Sequence, residues 1–290
     1  MEIYLNYALV VAAVIMFGVN FACTDKTREL CGSGLGIVFF QTIIGSGLGA
    51  VILFFMNGFR LEFSAISFII ALALALNGLL FTFCAFKALD RINLSLYSLF
   101  SMLGGMVLPF IVGIAFFNEA LTLAKCVCFA VICISLLLTV EKNSGKNGYI
   151  YYLGIFVLNG MGGVLTTIYK KLDGGNVSST GFTLMSALLA VILAAALLPF
   201  FRNDLKNIKR PIFAAIVIGF SGALNRLANL LLVIALAVLP ASAQYPMVTG
   251  GVMIVSTVIA LLSRKKPSKK EILSVMLAFV GILAAVVIPI

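Results

Sequence analysis

The stretch GFSGALNRLANL, residues 219–230, places an arginine in the middle of a long apolar run. That run extends from Ile212 to Leu236, so Arg226 should lie near the centre of a membrane-spanning helix, at the ~1.5 Å rise per residue of an α-helix. An arginine at such a depth costs several kcal/mol unless it faces a bundle interior or a water-filled cavity. The stretch therefore predicts a spanning helix with a functional position at Arg226.

Two asparagines share the predicted helix face of this arginine. Asn225 precedes Arg226 and Asn229 follows it by about one turn. Two interpretations stay open: the arginine and amides hold a polar ligand, or they form interhelical hydrogen bonds that only fix helix packing. Every acidic residue of the chain lies at a predicted helix end or in a loop. Because no internal carboxylate is available to neutralise Arg226, the ligand interpretation is favoured.

The composition places the chain in a membrane. Of its 290 residues, 62% are hydrophobic and 10% are charged, which excludes an ordinary soluble enzyme. The net charge of +10 comes from basic residues scattered between apolar runs, a pattern typical of topology signals and not of a nucleic-acid surface. We therefore expect a multi-pass protein, in a bacterial plasma membrane, whose partners are the lipid bilayer and a small-molecule substrate, as a monomer or homodimer.

The residues needed for intramembrane catalysis are missing from the sequence. There is no histidine, and we find no metal-ligand cluster, no paired carboxylates at mid-membrane depth and no serine with an evident base. Acid-base, nucleophilic and metal-assisted schemes would each need one of these. The sequence therefore predicts that the protein is not an enzyme, with no catalytic residues, no metal and no cofactor.

Ten apolar runs are long enough to span a bilayer. The first extends from the N-terminus to Cys23, and the others cover residues 34–57, 63–86, 93–117, 123–140, 149–169, 180–201, 211–236, 241–262 and 272–289. The longest polar interruption, residues 141–148, divides the chain into five-helix halves, 1–141 and 149–290. Because five is odd, the second half must enter the membrane from the opposite side. The fold class predicted is all-α, with ten transmembrane helices in two inverted repeats.

The halves also resemble each other in sequence. Sliding the chain on itself by about 146 residues aligns Asn77 with Asn225 and Gly104 with Gly250. Asn77 is therefore a further candidate for a binding site between the halves. The two glycines are expected to face neighbouring helices.

Three further polar residues fall early in spans four and nine. Tyr97 and Tyr245 occupy near-equivalent positions of the two halves, and Gln244 precedes Tyr245. We expect them to line the cavity entrance. Other tyrosines near span ends, among them Tyr4 and Tyr169, are expected to lie at the membrane interfaces.

Several features together resemble a known family. They are the ten spans in two halves, the Ala-Leu pairs at 88–89 and 235–236, and the acidic turn FNEALT at 117–122. In these the chain resembles the EamA-type members of the drug/metabolite transporter superfamily, over essentially its whole length. The resemblance implies a ten-helix basket with a central cavity and alternating access for small metabolites. The second-half counterpart of Glu119 is Lys265, so we interpret Glu119 as an N-terminal charge of span five and not as a transport residue.

The leading hypothesis is a secondary transporter, an exporter or exchanger, that moves a small polar metabolite by alternating access. Arg226 with the amides of Asn225, Asn229 and Asn77 suits an anionic or zwitterionic substrate such as an amino acid. A carrier of phosphorylated or neutral sugar-like metabolites is the alternative, and a channel or an intramembrane enzyme is a weaker one.

Two indications disagree on the orientation in the membrane. Most of the 20 basic residues fall in the loops that follow odd-numbered spans, and the opposite loops hold Arg60, Lys125, Lys170 and Lys171. The positive-inside rule then puts both termini outside. The family resemblance implies that they are inside.

Overall fold

The computed structural model describes residues 2–32, 34–89, 94–138, 149–262 and 269–287. Within them the chain is all-helical and has no strand. The α-helices are α1 Glu2–Cys31, α2 Leu35–Met56, α3 Ala65–Leu89, α4 Leu94–Phe117, α5 Leu123–Leu138, α6 Tyr149–Leu172, α7 Ser179–Leu197, α8 Pro211–Ala235, α9 Ala241–Leu262 and α10 Lys269–Val287. A 3-10 helix, Leu198–Asn207, follows α7.

Seven of the described helices are long and apolar enough to cross a membrane. They are α1, α2, α3, α4, α6, α7 with the 3-10 helix, and α8. The chain is therefore a multi-pass helical membrane protein, as the composition predicted. The apolar part of α5, Leu123–Ser135, is shorter, and α9 and α10 are not among the seven, so the predicted spans at α5, α9 and α10 stay predictions.

The helices of residues 2–138 pack mainly against those of residues 149–287. α1 packs on α8 and α9, α2 on α7 and α8, α3 on α6 and α7, α4 on α6 and α9, and α5 on α10. The largest buried apolar cluster accordingly draws side chains from both parts of the chain, including Val14 of α1, Met106 of α4, Leu232 of α8 and Met253 of α9. The core thus lies between the two parts of the chain.

Glycines allow the closest of these helix contacts. A Cβ added to Gly222 of α8 would lie 2.1 Å from the Cα of Gly45 on α2, and one added to Gly104 of α4 would lie 2.0 Å from the carbonyl oxygen of Phe156 on α6. Small residues permit such backbone approach between membrane helices. The prediction that Gly104 faces a neighbouring helix is confirmed, and Gly250 is buried within α9.

Replacing Gly222 by Ala should destabilise the protein, because the new methyl group meets backbone and no side chain can rotate away. Overpacking of this kind typically costs ~1–3 kcal/mol. The measurement is the thermal unfolding midpoint of the purified protein in detergent. Gly78→Ala is the matched control, since beyond its chain neighbours and its own helix backbone no described atom lies within 4 Å of a Cβ at Gly78. Equal midpoints for the two variants would contradict the α2–α8 contact.

Two of the tyrosines predicted at the interfaces, Tyr4 and Tyr169, differ in exposure. Tyr4 is 78% exposed, as expected. Tyr169 is 2% exposed, its ring stacks on Phe182 with centroids 3.7 Å apart, and its hydroxyl donates to the carbonyl of Val177 at 2.7 Å. The prediction for Tyr169 is wrong because the loop after α6 turns back and gives the hydroxyl a protein acceptor in place of interfacial water.

Candidate functional site

Arg226 lies where α2, α7 and α8 meet. Its Nε and Nη2 donate to the hydroxyl of Ser46 on α2, at 3.2 and 2.8 Å. Its Nη1 makes a longer contact of 3.4 Å with the hydroxyl of Ser186 on α7. Both serines are buried, at 8% and 1% exposure, and Arg226 itself is half-buried. The guanidinium therefore reaches into the helix bundle and not toward a membrane interface.

Glycines on α2 make room for the arginine. A Cβ added to Gly49 would lie 2.7 Å from the Cγ of Arg226, and one added to Gly45 would lie 3.0 Å from the Cα of Gly222. Successive turns of α2 thus contact successive turns of α8. None of α2, α7 and α8 contains an acidic residue. The helices that hold the guanidinium therefore provide no carboxylate to pair with it.

Asn229 marks an accessible space on the inner side of α8. Its Nδ2 donates to the main-chain oxygen and to Oδ1 of Asn225, at 2.7 and 3.1 Å. Asn229 is exposed, although the exposed apolar side chains of α8, such as Ile216 and Phe220, point the other way. Asn229 follows Phe220 by nine positions, which is about 180° around an α-helix. α8 is therefore accessible on two opposite sides, and we take the space beside Asn229 as a candidate cleft inside the bundle.

α3 has a comparable inner position. Leu76 and Leu80 are exposed apolar residues, and Gly78, about 200° from each, is also exposed with nothing within 4 Å of a Cβ. Asn77 is 9% exposed, and its Nδ2 donates to the carbonyl of Leu158 on α6 at 2.8 Å. The amide of Asn77 therefore ties α3 to α6, next to an open position at Gly78.

The candidates on α9 are packed in this structure. Gln244 is fully buried and its amide nitrogen donates to the carbonyl of Leu232 at 3.1 Å, while its Oε1 has no partner among the described residues. The Tyr245 hydroxyl donates to the carbonyl of Gly163 at 3.1 Å. A Cβ added to Gly163 would lie 2.6 Å from Pro109 and 2.9 Å from the Tyr245 ring. This is a closed contact of α4, α6 and α9, and a role for Tyr245 at a cavity entrance stays a prediction.

Tyr97 falls in α4, but its side chain lies outside the residues that the structure describes. Its predicted place at the cavity entrance therefore stays a prediction. Of the other candidates, the structure brings Asn225, Arg226 and Asn229 together on α8. The hydrogen bonds of Asn77, Gln244 and Tyr245 go instead to backbone carbonyls of neighbouring helices.

Glu119 caps α9 and not span five. Its Oε1 accepts from the backbone N–H of Ala241 at 3.0 Å, and its Oε2 from that of Ser242 at 2.9 Å. The predicted kind of role, a carboxylate at a helix N-terminus, is confirmed. The predicted helix is wrong, because the loop after α4 folds over the second half of the chain.

Two further carboxylates cap helices across the halves, at opposite ends of α2. At the Asp204 end, where α2 begins, the Asp204 carboxylate accepts from the backbone N–H of Gly36 at 2.8 Å. At the Glu62 end, in the loop after α2, the Glu62 carboxylate accepts from the hydroxyl of Ser178 at 2.8 Å and from its backbone N–H, where α7 begins. Sequence reasoning missed both caps. Ser178 before an apolar run is a recognisable N-cap, but its distant partner carries no local signal.

Glu62 is held in its ionised form by these contacts. Burial raises the pKa of its carboxyl. Hydrogen bonds with Ser178 and Asn57 and the charge of Arg60 together lower the pKa by more than burial raises it, so the pKa lies below its ordinary value. The carboxylate is therefore charged at neutral pH, as a cap at a helix N-terminus requires.

No family model and no curated protein matches the chain. Solved structures do match. One of them, described only as "Crystal structure of protein", aligns with a TM-score of 0.76 over 97% of this chain and 96% of its own, at 14% sequence identity. At that identity the likeness establishes a shared fold, and with the apolar helices it defines this protein as a multi-pass helical membrane protein of known architecture.

Proposed function

We propose that the protein is a secondary transporter that moves a small polar metabolite with an anionic group, by alternating access. The observation that carries the proposal is Arg226, a cation between three helices without acidic residues and held by neutral hydroxyls. An unpaired charge at this depth is costly, and such residues in membrane proteins usually serve a substrate or ion. An anionic or zwitterionic substrate, such as an amino acid, would offset that cost while bound.

The proposal includes ten spans arranged as two inverted repeats, 1–141 and 149–290. Exchanging each helix of α1–α5 with its counterpart in α6–α10 turns the α1–α8 contact into α6–α3, α2–α8 into α7–α3, and α1–α9 into α6–α4, and all of these contacts occur. The two end caps are related in the same way. Glu62, which follows α2, caps α7, and Asp204, which follows α7, caps α2. This pattern supports membership of the drug/metabolite transporter superfamily, EamA type, which is part of the proposal.

Alternating access accounts for the end caps and the cleft together. The cleft beside Asn229 would hold the substrate near Arg226, between the repeats, where inverted-repeat transporters bind it. The Glu62 and Asp204 caps would hold the two ends closed in turn. The packed contact of Tyr245, Gly163 and Pro109 opposes a continuous pore, which favours a carrier over a channel.

The test is counterflow in proteoliposomes. Vesicles loaded with a mixture of amino acids and small carboxylates should accumulate an external labelled substrate, selected beforehand from compounds that raise the thermal midpoint of the purified protein. Uptake should saturate with substrate concentration. Uptake that rises without saturation would indicate a channel, and uptake equal to that of protein-free vesicles for every compound would contradict transport.

A further inference from the structure

The guanidinium of Arg226 is fixed on one edge and free on another. Of the five N–H groups of an arginine, Nε and one of Nη2 converge on the Ser46 oxygen, and one of Nη1 points to the Ser186 oxygen. Among the described residues, one N–H on each Nη nitrogen therefore has no acceptor. Two donors on adjacent nitrogens are the pattern that binds a carboxylate through both of its oxygens.

The serines orient the guanidinium without cancelling its charge. The Ser186 hydroxyl donates to the carbonyl of Thr183 at 2.9 Å, which leaves its lone pairs for Nη1. A hydroxyl accepts a hydrogen bond but carries no charge, whereas a carboxylate at either position would form an ion pair with Arg226. Because both partners are serines, Arg226 keeps its full positive charge for a ligand.

Gly49 completes the arrangement. A Cβ at this position would lie 2.7 and 2.9 Å from the Cγ and Cβ of Arg226, so any larger residue displaces the arginine stem. Gly47, on the same helix, has its nearest neighbour 4.0 Å away, at Val191. Alanine at Gly49 should displace Arg226, whereas alanine at Gly47 should not. Comparing the two variants therefore distinguishes displacement of Arg226 from a general effect on α2.

We propose that Ser46, Ser186 and Gly49 form an anion-selecting socket, which sets Arg226 to bind one carboxylate of the substrate through its two free N–H groups. The proposal rests on the proposed function in taking the bound carboxylate as part of the transported substrate. One negative charge balances the single positive charge, so the loaded site is neutral in a region of low dielectric. A dianion would leave one charge uncompensated, and a cation would be repelled. Of the anionic and zwitterionic substrates in the proposed function, the socket therefore selects a small monocarboxylate with no second charged group.

The test uses three probes of similar size that differ in charge: propionate, propionamide and propylammonium. Thermal midpoints of the purified full-length protein are measured against probe concentration at constant ionic strength. We expect a saturable rise with propionate only, because binding to the native state stabilises by mass action. Ser46→Asp should weaken the propionate response by at least about tenfold, as expected when a charge-assisted pair is lost. Ser46→Thr keeps the hydroxyl and should retain the response.

Other outcomes would overturn the socket. An equal response to propionamide would mean that the site does not read charge, and a parental propionate response in Ser46→Asp would mean that Ser46 does not set selectivity. If Ser46→Asp does not fold, the test uses Gly49→Ala and Gly47→Ala instead. Only Gly49→Ala should lose the rise in thermal midpoint with propionate, and equal responses of the two variants would overturn the socket. Propionate binding without counterflow of any substrate would contradict the proposed function and leave the socket intact. Carboxylate counterflow that Ser46→Asp leaves unchanged would contradict the socket and leave the proposed function intact.

Discussion

Arg226→Ala should weaken the apparent affinity for the transported substrate by roughly 10- to 100-fold while the protein still folds. The substitution removes the charge that would bind the substrate carboxylate. Folding should survive because the hydroxyls of Ser46 and Ser186 can bond to carbonyls of their own helices once the guanidinium is gone. The measurement is the initial rate of counterflow against substrate concentration in proteoliposomes, with the amount of folded protein checked by gel filtration.

Two companion variants separate a binding role from a structural one. Arg226→Lys keeps the charge but loses the planar pair of donors, so it should restore affinity only in part. Arg226→Leu replaces the half-buried charge by an apolar side chain, a change that is often neutral or stabilising when the charge has no function. A saturation curve for Arg226→Leu that overlays the parent curve would end the functional interpretation of this arginine.

Most helices could be predicted from the sequence to within a few residues, but α1 continues to Cys31, well beyond the end predicted at Cys23. The apolar run at 211–236 became α8, Pro211–Ala235, and the run at 241–262 became α9, Ala241–Leu262. Apolar length and polar loops determine such segments because a membrane helix must satisfy its own backbone. The same physics identified Arg226, since a charge inside an apolar run is visible without any tertiary information.

The partners of Arg226 could not be predicted in this way. Ser46 and Ser186 are small polar residues in apolar helices, and they are 180 and 40 residues away from the arginine in sequence. Only the docking of α2 and α7 on α8 turns them into hydrogen-bond acceptors for the guanidinium. A weak signal existed in Gly45 and Gly49, whose spacing marks a close helix contact on the face next to Ser46.

The end caps formed by Asp204 and Glu62 could not be predicted from the sequence for a related reason. Asp204 and Gly36 are 168 residues apart, and Glu62 and Ser178 are 116 apart. A carboxylate in a loop is by default a solvated charge, and local sequence offers no hint of the helix end that it meets. Glu119 led to a wrong assignment because the nearest N-terminus in sequence, that of α5, was not the nearest in space.

A disulfide between cysteines replacing Glu62 and Gly181 should stop transport until it is reduced. The Cβ of Glu62 lies 3.2 Å from the position of a Cβ on Gly181, close to the ~3.8 Å of natural disulfides. The bond would tie the loop after α2 to the first turn of α7, where Glu62 caps that helix. If this end opens once in each cycle, counterflow should fall to background and return with dithiothreitol.

The opposite end offers a matched pair, Gly34→Cys with Asp204→Cys, where the corresponding Cβ positions are 3.0 Å apart. Because the described native cysteines are free, both pairs belong in a background without native cysteines, with each single variant as its control. Alternating access requires that both ends separate, so each bridge alone should block the cycle. Parental counterflow through both bridged proteins would mean that α2 and α7 stay together throughout, and that the substrate passes by a motion of other helices.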